Sequence, residues 1–252
     1  MDIQITMQPL TVYREGLSIA GELYAPPASA PLPLVILAHG FGDCMEGTRQ
    51  LARLLAGYGL AVCIFDFIGG SECSRSGGDM TEMSVLTEAA DLMAVLDAVA
   101  ARPGIDRSRL LLMGESQGGF VATYTAMQRP EVCGLIALYP AYVLQEDARR
   151  RAAAPGYRPG AQQIMGHTVG ACYDRDALSF DIYERMEDYR RPVLLLHGTA
   201  DPIVPLSVSQ RAAALLPEAT LLTIPGAGHG FTPPEEVRAA ALCADWIGQR
   251  IL

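Results

Sequence analysis

The chain has 252 residues, half of them apolar and 19% charged, proportions that suit one large α/β domain and exclude wholesale disorder. Its formal charge of −9 excludes the basic surface that non-specific nucleic-acid binding needs, and the one basic run, Arg149-Arg150-Arg151, is too short for a polybasic membrane contact. No apolar stretch approaches the roughly 18 residues that span a bilayer, and the opening Met-Asp-Ile-Gln-Ile-Thr reads as no secretory leader.

In chain order, alternating residues in Leu10-Thr-Val-Tyr-Arg and Leu17-Ser-Ile-Ala-Gly-Glu-Leu-Tyr predict an antiparallel hairpin turning at Glu15-Gly16. A Pro/Ala loop over 26–33 follows, and the pattern then changes to short, unalternating apolar runs: 34–38, 60–65, 110–113, 135–139, 193–196 and 220–224. Strands apolar on both faces belong in a sheet covered by helices on both sides. Helices are expected between them at 47–58, 86–100, 117–129, 206–216 and 234–250, the last two introduced by Pro205 and Pro233-Pro234. In the second of these, Leu86, Ala89, Met93, Leu96 and Ala100 form the apolar stripe. The alternation implies a mostly parallel, doubly wound, eight-stranded sheet with right-handed crossovers, in a single domain over 1–252. Residues 142–190 break it: they show no clear strand and read as an irregular insertion, a small lid over the C-terminal edge of the sheet.

The six cysteines (44, 63, 73, 133, 172 and 243) have no C-x-x-C spacing, so neither a zinc site nor a disulfide scaffold is expected. Cys63 and Cys133 read as small core residues, and a reduced, cytoplasmic location fits.

The chemistry centres on Gly114-Glu-Ser-Gln-Gly118, set between an apolar strand and a helix. A serine on so sharp a turn needs glycines two residues to either side, and the helix behind it points amides at whatever the hydroxyl attacks. Serine is a weak nucleophile near neutral pH and requires a base. Of four histidines, His39 at a strand end shapes a loop, His167 lies in the irregular segment, and His197 packs inside. His229, in Pro225-Gly-Ala-Gly-His-Gly-Phe231 just after the last strand, is the base. Asp201, in the turn after strand 193–196, is preferred to Asp174, Asp176 or Asp181 as the acid that orients the imidazole. The order Ser116, Asp201, His229 along one sheet edge fits this architecture. The oxyanion donors are expected to be the backbone amides of Gln117 and Phe41.

With these residues in view the chain resembles the α/β-hydrolase superfamily throughout, and is most similar to small bacterial carboxylesterases of the cinnamoyl (feruloyl) esterase type. The resemblance rests on His39-Gly-Phe-Gly, Phe65-Asp-Phe-Ile-Gly, Met83-Ser-Val-Leu-Thr-Glu88, Gly114-x-Ser-Gln-Gly-Gly119, Pro192-Val-Leu-Leu-Leu-His-Gly-Thr-Ala-Asp201 and Gly226-Ala-Gly-His229. It implies the α/β-hydrolase fold, hydrolysis of carboxylic esters, no metal or organic cofactor, and a small lid at 142–190. It also implies that Asp147, after Pro140-Ala141, meets a phenolic hydroxyl of the substrate. Glu115 departs from the family, where histidine often precedes the nucleophile, and the loop after Asp66 reads Gly-Gly-Ser-Glu-Cys instead of Gly-x-Gly-x-Ser.

A serine carboxylesterase working through an acyl-enzyme on a small-molecule ester is the leading expectation, with no nucleic-acid or membrane partner. The apolar fraction also permits a homodimer. Lid residues Tyr142, Tyr157, Met165, Tyr173 and Phe180 suit an aryl or medium acyl group, or equally fill the core. Two alternatives stand. One is a serine peptidase of the prolyl oligopeptidase type, whose usual gating domain finds no room in these 252 residues. The other is a non-catalytic binding protein of the same fold.

Overall fold

The computed structural model describes residues 4–252. Strands β1 (Thr6–Arg14) and β2 (Leu17–Ala25) form the expected hairpin, with Glu15 and Gly16 both at positive φ in the turn. Then come β3 (Leu32–Ala38), α1 (Met45–Ala56), β4 (Ala61–Phe65), α2 (Val85–Ala100), β5 (Ile105–Glu115), α3 (Gln117–Ala126) and β6 (Val132–Leu138). After the 142–190 segment the chain resumes with β9 (Val193–Gly198), α6 (Leu206–Leu215), β10 (Ala219–Ile224) and α7 (Pro233–Arg250). The eight-stranded sheet has the order β1-β2-β4-β3-β5-β6-β9-β10; β1–β2 and β2–β4 are antiparallel and every other pair is parallel. This is the α/β-hydrolase fold.

The unalternating strands are buried on both faces, and each face has its own apolar cluster. Val35, Leu37, Val62, Ile64, Met113 and Ile136 pack under α1 and α7. Leu34, Ile36, Cys63, Phe65, Leu112 and Leu135 pack under α2, α3 and α6. Each such Leu, Ile or Val removed from water contributes about 1.5–3 kcal/mol. Cys63 is a core residue, whereas Cys133 is only half-buried.

Helix α2 differs from its expected stripe. Its buried face is Val85, Glu88, Ala89, Asp91, Leu92, Val95, Leu96, Val99 and Ala100, so Ala89, Leu96 and Ala100 lie inside as expected, Leu86 and Met93 sit at the margin, and two carboxylates face inward. The reason is that Glu88 and Asp91 lie inside on polar partners, the Gln117 side-chain amide and the Ile68 N–H, while the reciprocal Ser84 and Thr87 bonds fix where the helix starts.

The 142–190 segment is more ordered than its sequence pattern suggests. It holds α4 (Leu144–Ala152), an antiparallel pair β7 (Gln162–Ile164) and β8 (His167–Val169), and α5 (Ala171–Ala177). The expectation of no strand fails because three-residue strands are too short for alternation to register. No helix among the described residues is long and apolar enough to cross a membrane. In a parallel sheet the strand ends lie on one edge, and the register places Gly114 of β5 between Ala38 of β3 and Ala137 of β6. The loops leaving that edge build the site.

Candidate active site

Ser116 joins β5 to α3 at φ 50° and ψ −115°, a conformation costing about 1–3 kcal/mol that only a well-determined surround sustains. Here the surround is backbone. Ser116 N–H donates to Leu138 O (3.0 Å), and its carbonyl accepts from the amides of Ala141 (2.8 Å) and Phe120 (3.1 Å). A Cβ on Gly114 would overlap the Gly118 carbonyl, and one on Gly118 would overlap the carbonyls of His39 and Ala38. The two glycines are therefore required by close approach, as the motif implies.

His229 Nε2 lies 2.9 Å from Ser116 Oγ, and His229 Nδ1 lies 2.8 Å from Asp201 Oδ2. A carboxylate only accepts, so Nδ1 carries the proton and Nε2 is free to accept from the serine hydroxyl. The other oxygen, Asp201 Oδ1, accepts from the amides of Ile203 (2.9 Å) and Val204 (2.8 Å). Burial opposes its charge, but the Val204 amide, the His229 bond and the Ile203 amide together hold the carboxyl below its usual range. Tyr139, itself at φ 36°, meets the His229 ring edge-on at 5.0 Å. Such a chain of hydroxyl, imidazole and carboxylate can take a proton from the serine and hold the resulting imidazolium.

The remaining histidines take other places. His39 is buried, donates from Nδ1 to Gly40 O (2.8 Å) and accepts the Phe67 amide at Nε2 (3.2 Å), which pins the loop after β3. His197 is buried between Ser209 Oγ (2.8 Å) and Val204 O (2.9 Å), fixing the turn that carries Asp201. Burial lowers the pKa of both rings, so both are held neutral. His167 stacks edge-on against Phe41 at 5.6 Å. The rejected acids are occupied in the 142–190 segment: Asp174 pairs with Arg151 (2.6 Å), Asp176 with Ser84 Oγ and Arg175, and Asp181 with Arg149 (3.4 Å).

Gln117 is the first residue of α3, so its amide belongs to the group left without intrahelical partners. Gly40, the residue before Phe41, packs against Ser116, leaving 3.3 Å from an added Cβ to the serine Cβ. Phe41 and Gln117 line a cavity of about 350 Å³ together with Ser116 and His229. Its other walls include apolar residues (Val143, Leu144, Ile164, Met165, Tyr173, Phe231), acidic ones (Asp43, Glu115, Glu236) and the basic Arg151. Burial, then the charges of Glu236 and Asp43, push the Glu115 carboxyl up to about 8 against an opposing bond from Tyr139.

Asp147 also lines the cavity, with one oxygen 3.0 Å from Arg150 Nη1. Of Tyr142, Tyr157, Met165, Tyr173 and Phe180 in the 142–190 segment, Met165 and Tyr173 reach the cavity. Tyr142 bonds Thr123 in the core (2.8 Å), Phe180 packs on Phe120 and Tyr124, and Tyr157 reaches Asp174 (3.3 Å). Sequence reasoning passed over Tyr139, Glu236 and the inward-facing Glu88; only Glu88, inside a quoted motif, carried any signal. Among the described residues, Asp43, Cys44 and Cys73 have potential metal-ligand atoms within 4.8 Å of one another, on the loops after β3 and β4.

Fold and site together define an α/β hydrolase. Residues 47–251 match the family model Peptidase_S9, prolyl oligopeptidase family, and the chain belongs to that family. It is 27% identical over 217 residues to the uncharacterized protein Rv2307c of Mycobacterium tuberculosis, a match spanning 86% of this chain and 69% of that protein. Over 67 residues it is 51% identical to the putative carbamate hydrolase RutD of Caulobacter sp. strain K31, covering 26% of this chain and 25% of RutD. Among solved structures it is similar to Est1E from Butyrivibrio proteoclasticus with ferulic acid bound, at a TM-score of 0.85 and 23% identity over 96% of this chain and 99% of that one.

Proposed function

We propose that the chain is a serine esterase that hydrolyses small carboxylic esters through an acyl-enzyme. The observation carrying this reading is the unbroken hydrogen-bonded chain from Ser116 Oγ through His229 to Asp201, at 2.9 and 2.8 Å. In the reading, Ser116 Oγ attacks the ester carbonyl while His229 Nε2 takes its proton, and the developing oxyanion is met by the amides of Phe41 and Gln117. Each such donor is worth about 3–4 kcal/mol of barrier. His229 then gives the proton to the leaving alkoxide, and a water activated by the same nitrogen releases the acid. The 142–190 segment acts as the lid. Its Tyr173 and the neighbouring Phe41, Tyr139 and Phe231 favour an aryl or medium acyl group. The ferulic acid in Est1E supports a hydroxycinnamate ester, for which Asp147 would accept a hydrogen bond from the phenol.

Hydrolysis of p-nitrophenyl butyrate tests the reading. Ser116→Ala should lose at least about a thousandfold in kcat and all labelling by a fluorophosphonate; turnover that survives the substitution ends the proposal. Family membership favours one second reading, a peptidase. Aminoacyl-arylamide turnover exceeding ester turnover would select it.

A further inference from the structure

Tyr173 of α5 touches both residues whose amides the esterase reading assigns to the oxyanion. Its hydroxyl donates to Gln117 Oε1 at 2.7 Å, and its ring packs on the Phe41 ring with centroids 5.5 Å apart. Gln117 is clamped from the opposite side, where its Nε2–H donates to Glu88 Oε2 at 2.8 Å. All three polar side chains are buried, with Glu88 1%, Gln117 2% and Tyr173 4% exposed, so water cannot substitute for a lost partner.

The tyrosine is itself fixed on both flanks. The next residue, Asp174, is held by Arg151 (2.6 Å), Gln162 (3.0 Å) and Tyr157 (3.3 Å). Asp176 accepts from Ser84 Oγ at 2.6 Å, at the cap of the helix that carries Glu88. Gly170, just before α5, lies so near the Thr81 carbonyl that a Cβ there would overlap it.

We propose that Tyr173 is a positioning residue for the oxyanion hole, holding the Gln117 and Phe41 amides in register, so that the hole is complete only while the 142–190 segment is docked. The inference rests on the esterase reading of Ser116. His39 and Gly40 hold the start of the loop after β3. At Phe41 itself, the Tyr173 ring, bonded to Gln117 and stacked on Phe41, adds a side-chain tie between that loop and α3. Since an oxyanion exists only on the way to the transition state, its misplacement lowers kcat and leaves ground-state binding alone.

The test uses the full chain and p-nitrophenyl butyrate, with kcat and KM measured separately. Tyr173→Phe, which keeps the ring and removes the hydroxyl, should lower kcat about tenfold with KM changed by less than about twofold. It should weaken inhibition by a phenylboronate, a tetrahedral mimic, by the same factor. Tyr173→Leu, losing both contacts, should fall further. Glu88→Ala should resemble Tyr173→Phe, whereas Glu88→Gln, which keeps an acceptor for Gln117, should recover most of the loss.

Unchanged kcat in Tyr173→Phe overturns the proposal, as does a raised KM at unaltered kcat, which would make Tyr173 a substrate contact. Equal losses in Glu88→Gln and Glu88→Ala overturn the Glu88 arm. Fluorophosphonate labelling separates the two levels. A wild-type chain that is never labelled sinks the esterase reading, whereas a labelled wild type with an unaffected Tyr173→Phe sinks only this inference.

Discussion

The turn that carries Ser116 and the 142–190 segment face one another across a single cavity, and they are held in place by different kinds of force. The turn is fixed by main chain: three backbone hydrogen bonds to Ser116, and glycine contacts in which carbonyls lie where a Cβ would be. The segment is fixed mainly by side chains, among them Arg151 to Asp174, Ser84 to Asp176 and Tyr173 to Gln117, with one contact of the turn's kind at Gly170 against the Thr81 carbonyl. Backbone constraints tolerate almost no substitution, while side-chain networks can be rewired one bond at a time. A substitution in the first region should therefore cost more than one in the second.

Substitutions can break this contrast, and the largest effect should fall on the scaffold side. Asp201→Asn keeps an oxygen for the amides of Ile203 and Val204 but no longer fixes the His229 tautomer, so kcat should drop about 10⁴-fold with the fold intact. Circular dichroism and steady-state kinetics check both halves, and a loss below about tenfold would mean that His229 is oriented by something else. Gly118→Ala forces a methyl into the carbonyls of His39 and Ala38, neither of which is a flexible side-chain end. A destabilisation of about 3 kcal/mol or more is expected by urea unfolding.

On the segment side, Arg151→Ala leaves the Asp174 carboxylate buried with only Tyr157 and Gln162 as partners. Stranding a buried charge costs about 3–5 kcal/mol, yet the loss should stay local. Limited proteolysis and hydrogen exchange should accelerate within 142–190 while β5, α3 and β6 stay protected. Uniform loss of protection through the sheet would erase the distinction between the regions.

The same contrast explains what could be read from the sequence. Strand runs, the hairpin, the glycines around Ser116 and the placing of His229 and Asp201 after successive strands follow from backbone rules with a fixed period or spacing. All of these appear where expected, and Ser116, Asp201 and His229 come within hydrogen-bond distance. The segment was legible only as an insertion. Its strands are three residues long, and its order comes from partners distant in sequence: Tyr173 with Gln117, Asp176 with Ser84, Gln145 with Ala177 and Phe180. Periodicity also misplaced part of the buried face of α2, because a stripe counted on apolar residues skips Glu88 and Asp91, which lie inside on polar partners.

Glu115 gives the smallest effect and the finest discrimination, for it belongs to the rigid turn yet is a departure from the family pattern. Burial first, then the charges of Glu236 and Asp43, raise its carboxyl to about 8, while the Tyr139 bond works the other way. In the unfolded chain it titrates near 4.5, so between about 4.5 and 8 the folded protein holds a proton that the unfolded one has released. Its contribution to stability therefore declines as pH rises through that window. Glu88, raised to about 8 chiefly by burial, acts in the same direction. Buried His39 and His197 act in the opposite sense, since the unfolded chain takes up their protons as pH falls through about 6.5. The thermal midpoint should then fall on both sides of a mildly acidic optimum. Glu115→Gln, neutral at every pH, should flatten the alkaline limb by a few degrees and, because the window reaches down to about 4.5, steepen the acid limb above that pH. If wild type and variant lose stability in parallel from pH 6 to 8.5, the carboxylate beside the nucleophile is charged and solvated. The turn would then owe less to a dry, backbone-packed surround than its geometry implies.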